Sequence, residues 1–169
     1  MVAEPGSKRD IRKLQLPELK EFFVAHGDKA FRAQQVHEWL WKKSAKDFDA
    51  MTNLSLATRQ MLQEHFTINH IQVDTMQQSA DGTIKNAVKL HDGLVVESVL
   101  IPTEKRITAC VSSQVGCSLG CKFCATARLK RMRNLNPDEI YDQVAAIRQQ
   151  SELFFGRPLT NIVFMGMGE

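Results

Sequence analysis

Hydrophobic residues repeat with a helical period through the first part of the chain. Ala33, Val36 and Leu40 stand at i, i+3 and i+7, the spacing that places side chains on one face of an α-helix. Residues 13–68 are therefore predicted to form a small helical module, which is too short to build a large core of its own. The preceding residues 1–12 show no such pattern and are predicted to be a disordered tail.

The hydrophobic period changes to two after residue 69. Two Asp-Gly pairs, Asp81-Gly82 and Asp92-Gly93, are turn signals of the kind that joins antiparallel strands. Alternating segments lie before, between and after these turns, and the last of them stops at Pro102. Residues 69–103 are therefore predicted to form a three-stranded antiparallel meander.

The last part of the chain, residues 104–169, has a strand, helix, strand pattern. Residues 107–112 and 160–165 are short apolar runs, and between them Asn136-Pro137 supplies a helix cap and a first-turn proline. This order predicts one βαβ unit, in which a right-handed crossover joins two parallel strands. The predicted fold class is therefore α/β. Because two parallel strands alone would leave an apolar edge open, we interpret the unit as the beginning of a truncated (β/α) barrel.

Composition and charge add one feature to this picture. A chain of 169 residues with 43% hydrophobic and 24% charged residues is typical of a globular protein, and neither a secretory signal nor an apolar run of membrane-spanning length is visible. The net charge of +3 is small, but one stretch contains five basic residues and no acidic one. Such a stretch attracts phosphate backbones, although a solvated loop has the same pattern. The five residues are Lys122, Arg128, Lys130, Arg131 and Arg133.

Three of the four cysteines, Cys117, Cys121 and Cys124, lie in a C-x3-C-x2-C spacing. Three thiolates can hold three irons of a cubane cluster and leave the fourth iron open to a substrate or cofactor. Structural iron–sulfur clusters and structural zinc sites use four ligands instead. A structural zinc site with Cys110 as the fourth ligand is the alternative. This use of cysteine also indicates a reducing, cytoplasmic compartment.

Two further positions are candidates for chemistry. Glu97 alternates with Val95, Val99 and Ile101, so we expect a carboxylate among apolar neighbours, an environment that suits a general base. A charge at the edge of a strand is the alternative. The final Gly166-x-Gly168-Glu169 follows the second apolar strand, and by itself it indicates little more than a turn at the end of a strand.

The residues around the cysteines resemble a known family. The cysteine spacing, with Phe123 before the last cysteine, is similar to the cluster motif of the radical S-adenosylmethionine (SAM) superfamily. The flanking sequence is similar to that of the dual-specificity RNA methyltransferases, which methylate C2 of adenosine in 23S ribosomal RNA and in transfer RNA. The supporting segments are residues 31–36, 96–102, 110–117, 121–126, 133–135, 138–140 and 164–169, together with the Asp-Gly turns.

The resemblance implies a cofactor set and a role for each candidate residue. The three cysteines would hold a [4Fe-4S] cluster, and an electron from that cluster would cleave SAM to a deoxyadenosyl radical. Gly168 and Glu169 would contact SAM, and Glu97 would accept a proton. Cys110, which alone reads as a buried strand thiol, would form a disulfide with a methyl-carrying cysteine and so resolve an RNA adduct.

That second cysteine lies near the C-terminus in the family, and the chain contains no candidate for it, since its four cysteines are all assigned above. We therefore interpret the chain as an N-terminal part of such an enzyme and expect no methyl transfer from it alone.

The resemblance also implies partners. We expect 23S rRNA and tRNA as substrates, an electron donor such as a flavodoxin-type protein, a monomeric state and no membrane contact. An adenine within folded RNA must be extruded to be reached, and the basic stretch with the helical module are the candidates for holding the RNA around it. The alternatives are a relative that methylates C8 of the same adenosine, and a non-catalytic RNA-binding fragment that holds a cluster or zinc.

Overall fold

The computed structural model describes residues 8–168, which divide into two compact units with the boundary after Asn69. The fold combines helices with a mixed sheet, so the predicted α/β class is confirmed. No helix within residues 8–168 has both the length and the apolar composition needed to cross a membrane.

The first unit is built from three helices around one core. Its elements are β1 (Arg9–Asp10), a 3-10 helix (Ile11–Lys13), α1 (Leu16–Ala25), α2 (Arg32–Trp41), α3 (Leu56–His65) and β2 (Phe66–Thr67). The apolar faces of the helices meet in a cluster of buried side chains, which accounts for the helical period of the sequence. Its largest members include Ile11, Phe23, Val36, Met51 and Leu62.

The predicted disordered tail needs correction for residues 9–12. β1 pairs in parallel with β2, and Ile11 is only 1% exposed within the core. The Asp10 carboxylate accepts hydrogen bonds from the backbone N–H groups of Arg12 and Asn69, which ties this segment to the end of the unit. These elements are two or three residues long, so they carry no readable period. Residues 1–7 lie outside the described part of the chain.

The second unit is organised around a five-stranded sheet in the order β3-β4-β5-β6-β9. Its strands are β3 (Gln72–Gln78), β4 (Ile84–Lys89), β5 (Val95–Pro102), β6 (Ile107–Cys110) and β9 (Asn161–Val163). The pairs β3–β4, β4–β5 and β5–β6 are antiparallel, and β9 lies parallel to β6 after the crossover through α4 (Pro137–Phe155). A separate ribbon pairs β7 (Gln114–Val115) with β8 (Arg133–Asn134), and a 3-10 helix spans Ala125–Arg128.

The meander and the βαβ unit, predicted as two segments, share this one sheet. β5 pairs with β6, with Val99 opposite Cys110 and Leu100 opposite Ala109. The two strands are joined by a short turn in which the Thr103 N–H donates to the Arg106 carbonyl at 2.7 Å. The division after residue 103 is therefore corrected, because a pattern along the chain reveals strands but not which strands are neighbours.

Helix α4 covers one face of the sheet. Ile84, Leu100, Ile107 and Ala109 point to this face and pack with Ile147 of the helix. Because side chains alternate along a strand, the residues between them point to the opposite face. This division into two faces decides where the candidate site residues lie.

The C-terminal end of α4 supplies a stability prediction. Gly156 caps the helix with φ +60°, and a Cβ at this position would meet no atom within 4 Å. Gly156→Ala is expected to destabilise the chain by about 1 kcal/mol, because only the left-handed backbone opposes the new methyl group. Urea unfolding of Gly156→Ala and Gly156→Asn measures this. Asn tolerates the left-handed conformation, so an equal loss in both variants would contradict the explanation.

Candidate functional site

The three clustered cysteines lie on a loop, residues 116–132, that follows the C-terminal end of β6. The β7–β8 ribbon closes its base, with Val115 opposite Arg133. Next to this pair, the Met132 N–H donates to the Val115 carbonyl at 2.8 Å. We refer to residues 116–132 as the cluster loop. Residues 111–115 lead to it from the sheet edge where the parallel strands β6 and β9 both end, the edge that carries active sites in β/α barrels.

The cysteines of this loop are free and partly exposed. The Leu119 N–H donates to the Cys117 sulfur at 3.4 Å, and the Cys124 N–H donates to the Cys121 carbonyl at 3.1 Å. Hydrogen bonds from the backbone and the hydroxyl of Thr126 lower the pKa of the Cys124 thiol. A lower pKa favours the thiolate, which is the form that binds metals.

The cluster loop offers suitable donors for a metal cluster without gathering them into a site. Among residues 8–168, no three side chains of the His, Cys, Asp and Glu types are placed to hold a metal ion together. The fit to an iron–sulfur cluster therefore rests on donor chemistry. Three free thiols lie within eight residues of each other, and one of them has a lowered pKa.

Cys110 has a different environment from the other cysteines. It lies on β6, with 7% of its surface exposed. Burial raises the pKa of its thiol, and a hydrogen bond from the Met165 backbone opposes this only in part. Cys110 therefore remains a neutral thiol at neutral pH, which makes it a weaker nucleophile than an exposed thiol.

The expected apolar surroundings of Glu97 are wrong. Its carboxylate lies 2.5 Å from the Lys85 ammonium, and both side chains are about half exposed. The alternation of β5 buries Val96, Ser98 and Leu100 and leaves the Glu97 side in contact with solvent. The sequence could not decide this, because both sets of β5 residues are rich in apolar side chains.

The structure does place Glu97 and Cys110 on one face of the sheet. Val99 and Cys110 are directly opposite in the β5–β6 pair and so share a face, and Glu97 is two residues before Val99. This is the face that α4 does not cover.

The Gly-x-Gly segment lies against residues 111–114, which precede the cluster loop. The Gly166 N–H donates to the Val111 carbonyl at 3.1 Å, and the Met167 carbonyl accepts from the N–H groups of Ser113 and Gln114. A Cβ on Gly168 would lie 2.7 Å from the Ser113 hydroxyl, so only glycine allows this approach. The other predicted residue of the segment, Glu169, lies outside the described residues.

Arg133 is not one of the cations available to RNA. Its guanidinium donates to both carboxylate oxygens of Glu139 at 2.8 Å and to Asp92 at 2.8 Å. The interpretation of the basic stretch is therefore corrected at this position, since an exposed phosphate would compete with two carboxylates. The exposed basic residues that remain are Lys122, Arg128, Lys130 and Arg131.

Comparisons with known proteins identify relatives of the chain. The family described as "Ribosomal RNA large subunit methyltransferase N-terminal domain" matches residues 9–68. The probable dual-specificity RNA methyltransferase RlmN of Christiangramia forsetii is 72% identical over 162 residues, which are 96% of this chain and 46% of that protein. The chain belongs to the RlmN family. This confirms the predicted family.

More distant relatives extend the match. The RlmN protein of Geotalea uraniireducens is 46% identical over 162 residues. The crystal structure of a radical SAM methyltransferase from Sphaerobacter thermophilus matches with a TM-score of 0.80 and 40% identity, over 95% of this chain and 47% of that one. The chain thus spans about half the length of the RlmN relatives and of this structure.

Sequence reasoning missed two residues at the centre of this RlmN unit. Ser112 and Gln143 are both fully buried, and they bond to each other through the Ser112 backbone. One signal was available. Gln143 stands three residues after Ile140 and four before Ile147, so it is a polar side chain on the apolar face of α4.

Proposed function

We propose that the chain is the SAM-cleaving part of a radical SAM enzyme that methylates C2 of adenosine in 23S rRNA and tRNA. One observation carries the proposal: three free thiols lie on a closed loop at the end of the β6 and β9 strands in a chain of the RlmN family. A fold with this edge and this loop has the place and the donors that such chemistry needs.

Cys117, Cys121 and Cys124 would hold a [4Fe-4S] cluster. When bound, the cluster supplies the electron that cleaves SAM. The protein's own contribution is the thiolates. At Cys124, hydrogen bonds from Thr126 lower the pKa of the thiol and so favour the thiolate, which is the form that binds iron.

Gly168 and Glu169 would contact SAM. The docking of the Gly-x-Gly segment along the residues that lead into the cluster loop supports this role for Gly168. In this arrangement, the segment packs on the residues that lead from β6 to the cysteines.

Glu97 would accept a proton from the reacting adenosine, and Cys110 would pair with a methyl-carrying cysteine. Their common position on the face of the sheet away from α4 supports a shared task. The Glu97 carboxylate is half exposed and pairs with the Lys85 ammonium, so a substrate on this face would have access to it.

The remaining parts of the proposal concern partners. The helical module of residues 13–68 and the four exposed basic residues of the cluster loop would hold the RNA, since phosphate contacts position a nucleic acid. The second unit would be the beginning of a partial (β/α) barrel. We further propose a flavodoxin-type electron donor, a cytoplasmic location, a monomeric state and no membrane partner.

Anaerobic reconstitution with iron and sulfide tests the cofactor part of the proposal. We expect a brown chain that contains iron and sulfide and that cleaves SAM to 5′-deoxyadenosine when it is reduced. Stoichiometric zinc in place of iron would contradict it and would favour the structural zinc alternative.

Analysis of RNA nucleosides tests the reaction. The 169-residue chain is expected to transfer no methyl group, because its four cysteines include no methyl carrier. A polypeptide that joins this chain to a domain with that cysteine is expected to produce 2-methyladenosine. Formation of 8-methyladenosine would assign the chain to the C8-specific relatives instead.

A further inference from the structure

Ser112 connects three parts of the second unit through one hydroxyl group. Its Oγ donates to the Glu97 carbonyl at 2.5 Å and accepts from the Met167 N–H at 2.8 Å. Glu97 belongs to β5, Met167 lies between Gly166 and Gly168, and Ser112 itself precedes the cluster loop. The hydroxyl thus ties a catalytic candidate and the Gly-x-Gly segment to the segment that leads to the cysteines.

Gln143 of α4 fixes the backbone of the same residue. The Ser112 N–H donates to Gln143 Oε1 at 2.9 Å, and Gln143 Nε2 donates to the Ser112 carbonyl at 3.1 Å. These two hydrogen bonds hold the two peptide groups on either side of the Ser112 Cα. The position of the Ser112 hydroxyl is therefore set by the helix as well as by the sheet.

The surroundings of the Ser112 hydroxyl are closely packed and closed to solvent. Ser112 and Gln143 are both 0% exposed, and a Cβ on Gly166 would lie 2.6 Å from the Ser112 hydroxyl. Removing the hydroxyl would leave the Met167 N–H buried without this acceptor, because water has no access to replace it. A buried donor without an acceptor is costly, so the segment would shift to find one.

We infer that Ser112 is a positioning residue, whose hydroxyl holds the Gly-x-Gly segment and the Glu97 strand in register with the start of the cluster loop. The inference rests on the proposed function for its consequence, which is that SAM binding depends on this register. Ser112 itself contacts neither SAM nor the cluster in this scheme.

Ser112→Ala tests the inference against Ser151→Ala. Ser151 is a matched control because it is also 0% exposed in the same unit, and its hydroxyl donates to the Arg157 carbonyl at the far end of α4. In the apo chain, hydrogen exchange at the N–H groups of Ser113, Gln114 and Met167 is expected to speed up about tenfold in Ser112→Ala. The control is expected to leave these three rates unchanged.

The same two variants are then compared as reconstituted chains. Ser112→Ala is expected to bind SAM about tenfold more weakly at an unchanged iron content, because the register of the segment is lost while the cysteines remain. Ser151→Ala is expected to keep the wild-type affinity. A merely structural role would lower the free energy of unfolding in both variants without separating their SAM affinities.

The possible results distinguish a failure of the inference about Ser112 from a failure of the proposed function. Ser112→Ala with wild-type exchange at these amides, or with a SAM affinity equal to that of Ser151→Ala, would overturn the inference. If Ser112→Ala does not fold, Ser112→Cys retains a weak hydrogen-bonding group in a similar volume and is expected to change in the same direction. Failure of the wild-type chain to take up iron or SAM would instead contradict the proposed function, and exchange in the apo chain would still show whether Ser112 holds the segment.

Discussion

Replacement of Cys121 by alanine is expected to remove the iron–sulfur cluster from the chain, whereas replacement of Cys110 is expected to leave it in place. A cluster held by three thiolates has no spare ligand, so the loss of one thiolate removes its attachment to the protein. Cys110 is buried on β6, and its raised pKa favours the neutral thiol, which does not bind metal. The measurement is iron and sulfide content after anaerobic reconstitution, with the visible absorption spectrum as a second readout.

The comparison of these two variants distinguishes a cluster held by three cysteines from a closed metal site held by four. A closed zinc or iron site that includes Cys110 would lose its metal equally in both variants. Equal loss would therefore contradict the open cluster. The wild-type chain without added iron serves as the control for metal bound elsewhere.

Replacement of Arg133 by alanine is expected to destabilise the chain by about 3–5 kcal/mol, the usual cost of leaving one member of a buried ion pair without its partner. Glu139 is 3% exposed, and Arg133 donates to both of its carboxylate oxygens. Arg133 also bonds Asp92 in the β4–β5 turn, so one guanidinium joins that turn, α4 and the base of the cluster loop. Urea unfolding at neutral pH measures the loss.

Two further variants show whether the ion pair is the cause. Arg131→Ala removes a nearby exposed cation that donates to the neutral Asn134 side chain, and it is expected to change stability by less than about 0.5 kcal/mol. Arg133→Met combined with Glu139→Gln removes both charges, so it is expected to be more stable than Arg133→Ala alone. A double variant as unstable as the single one would contradict the charge argument.

The effect of Arg133→Ala should also depend on pH. Burial acts to raise the pKa of Glu139, but hydrogen bonds from Arg133 and from the Asn136 backbone outweigh it and lower the pKa. The stabilisation by the pair is therefore complete above the ordinary pKa of a carboxyl group and is lost as the pH falls through the lowered value. The difference in unfolding free energy between wild type and Arg133→Ala is expected to shrink below about pH 4. A difference in unfolding free energy that stays constant from neutral pH to below about pH 4 would contradict the role of the Glu139 carboxylate.

The positions of the main elements in the second unit follow from local signals. The Asp-Gly pairs stand at the turns between β3, β4 and β5, and the Asn136-Pro137 cap and Gly156 bound α4. Each of these signals involves only a few neighbouring residues, so it can be recognised in the sequence before the fold is known. The short β1 and its 3-10 helix escaped detection because their residues are ordered by contacts with a segment more than fifty residues later.

The errors about individual side chains have a common origin. Glu97 was expected among apolar neighbours, and Arg133 was counted with the RNA-binding cations. In both cases the decisive partner lies on another element of the fold: Lys85 on the neighbouring strand for Glu97, and Glu139 on α4 and Asp92 in the β4–β5 turn for Arg133. The charge of a residue can be read from the sequence, but its partner cannot.

The sequence by itself determined the types and order of the main elements, the position of the clustered thiols and the family, because caps, turns, periodicity and the C-x3-C-x2-C spacing are all local. Only the tertiary structure decided that the meander and the βαβ unit share one sheet, that Glu97 and Cys110 share a face, and that Ser112 and Gln143 join at its centre. These features depend on strand order and register. Both are set when distant segments pack together, so no pattern along the chain specifies them.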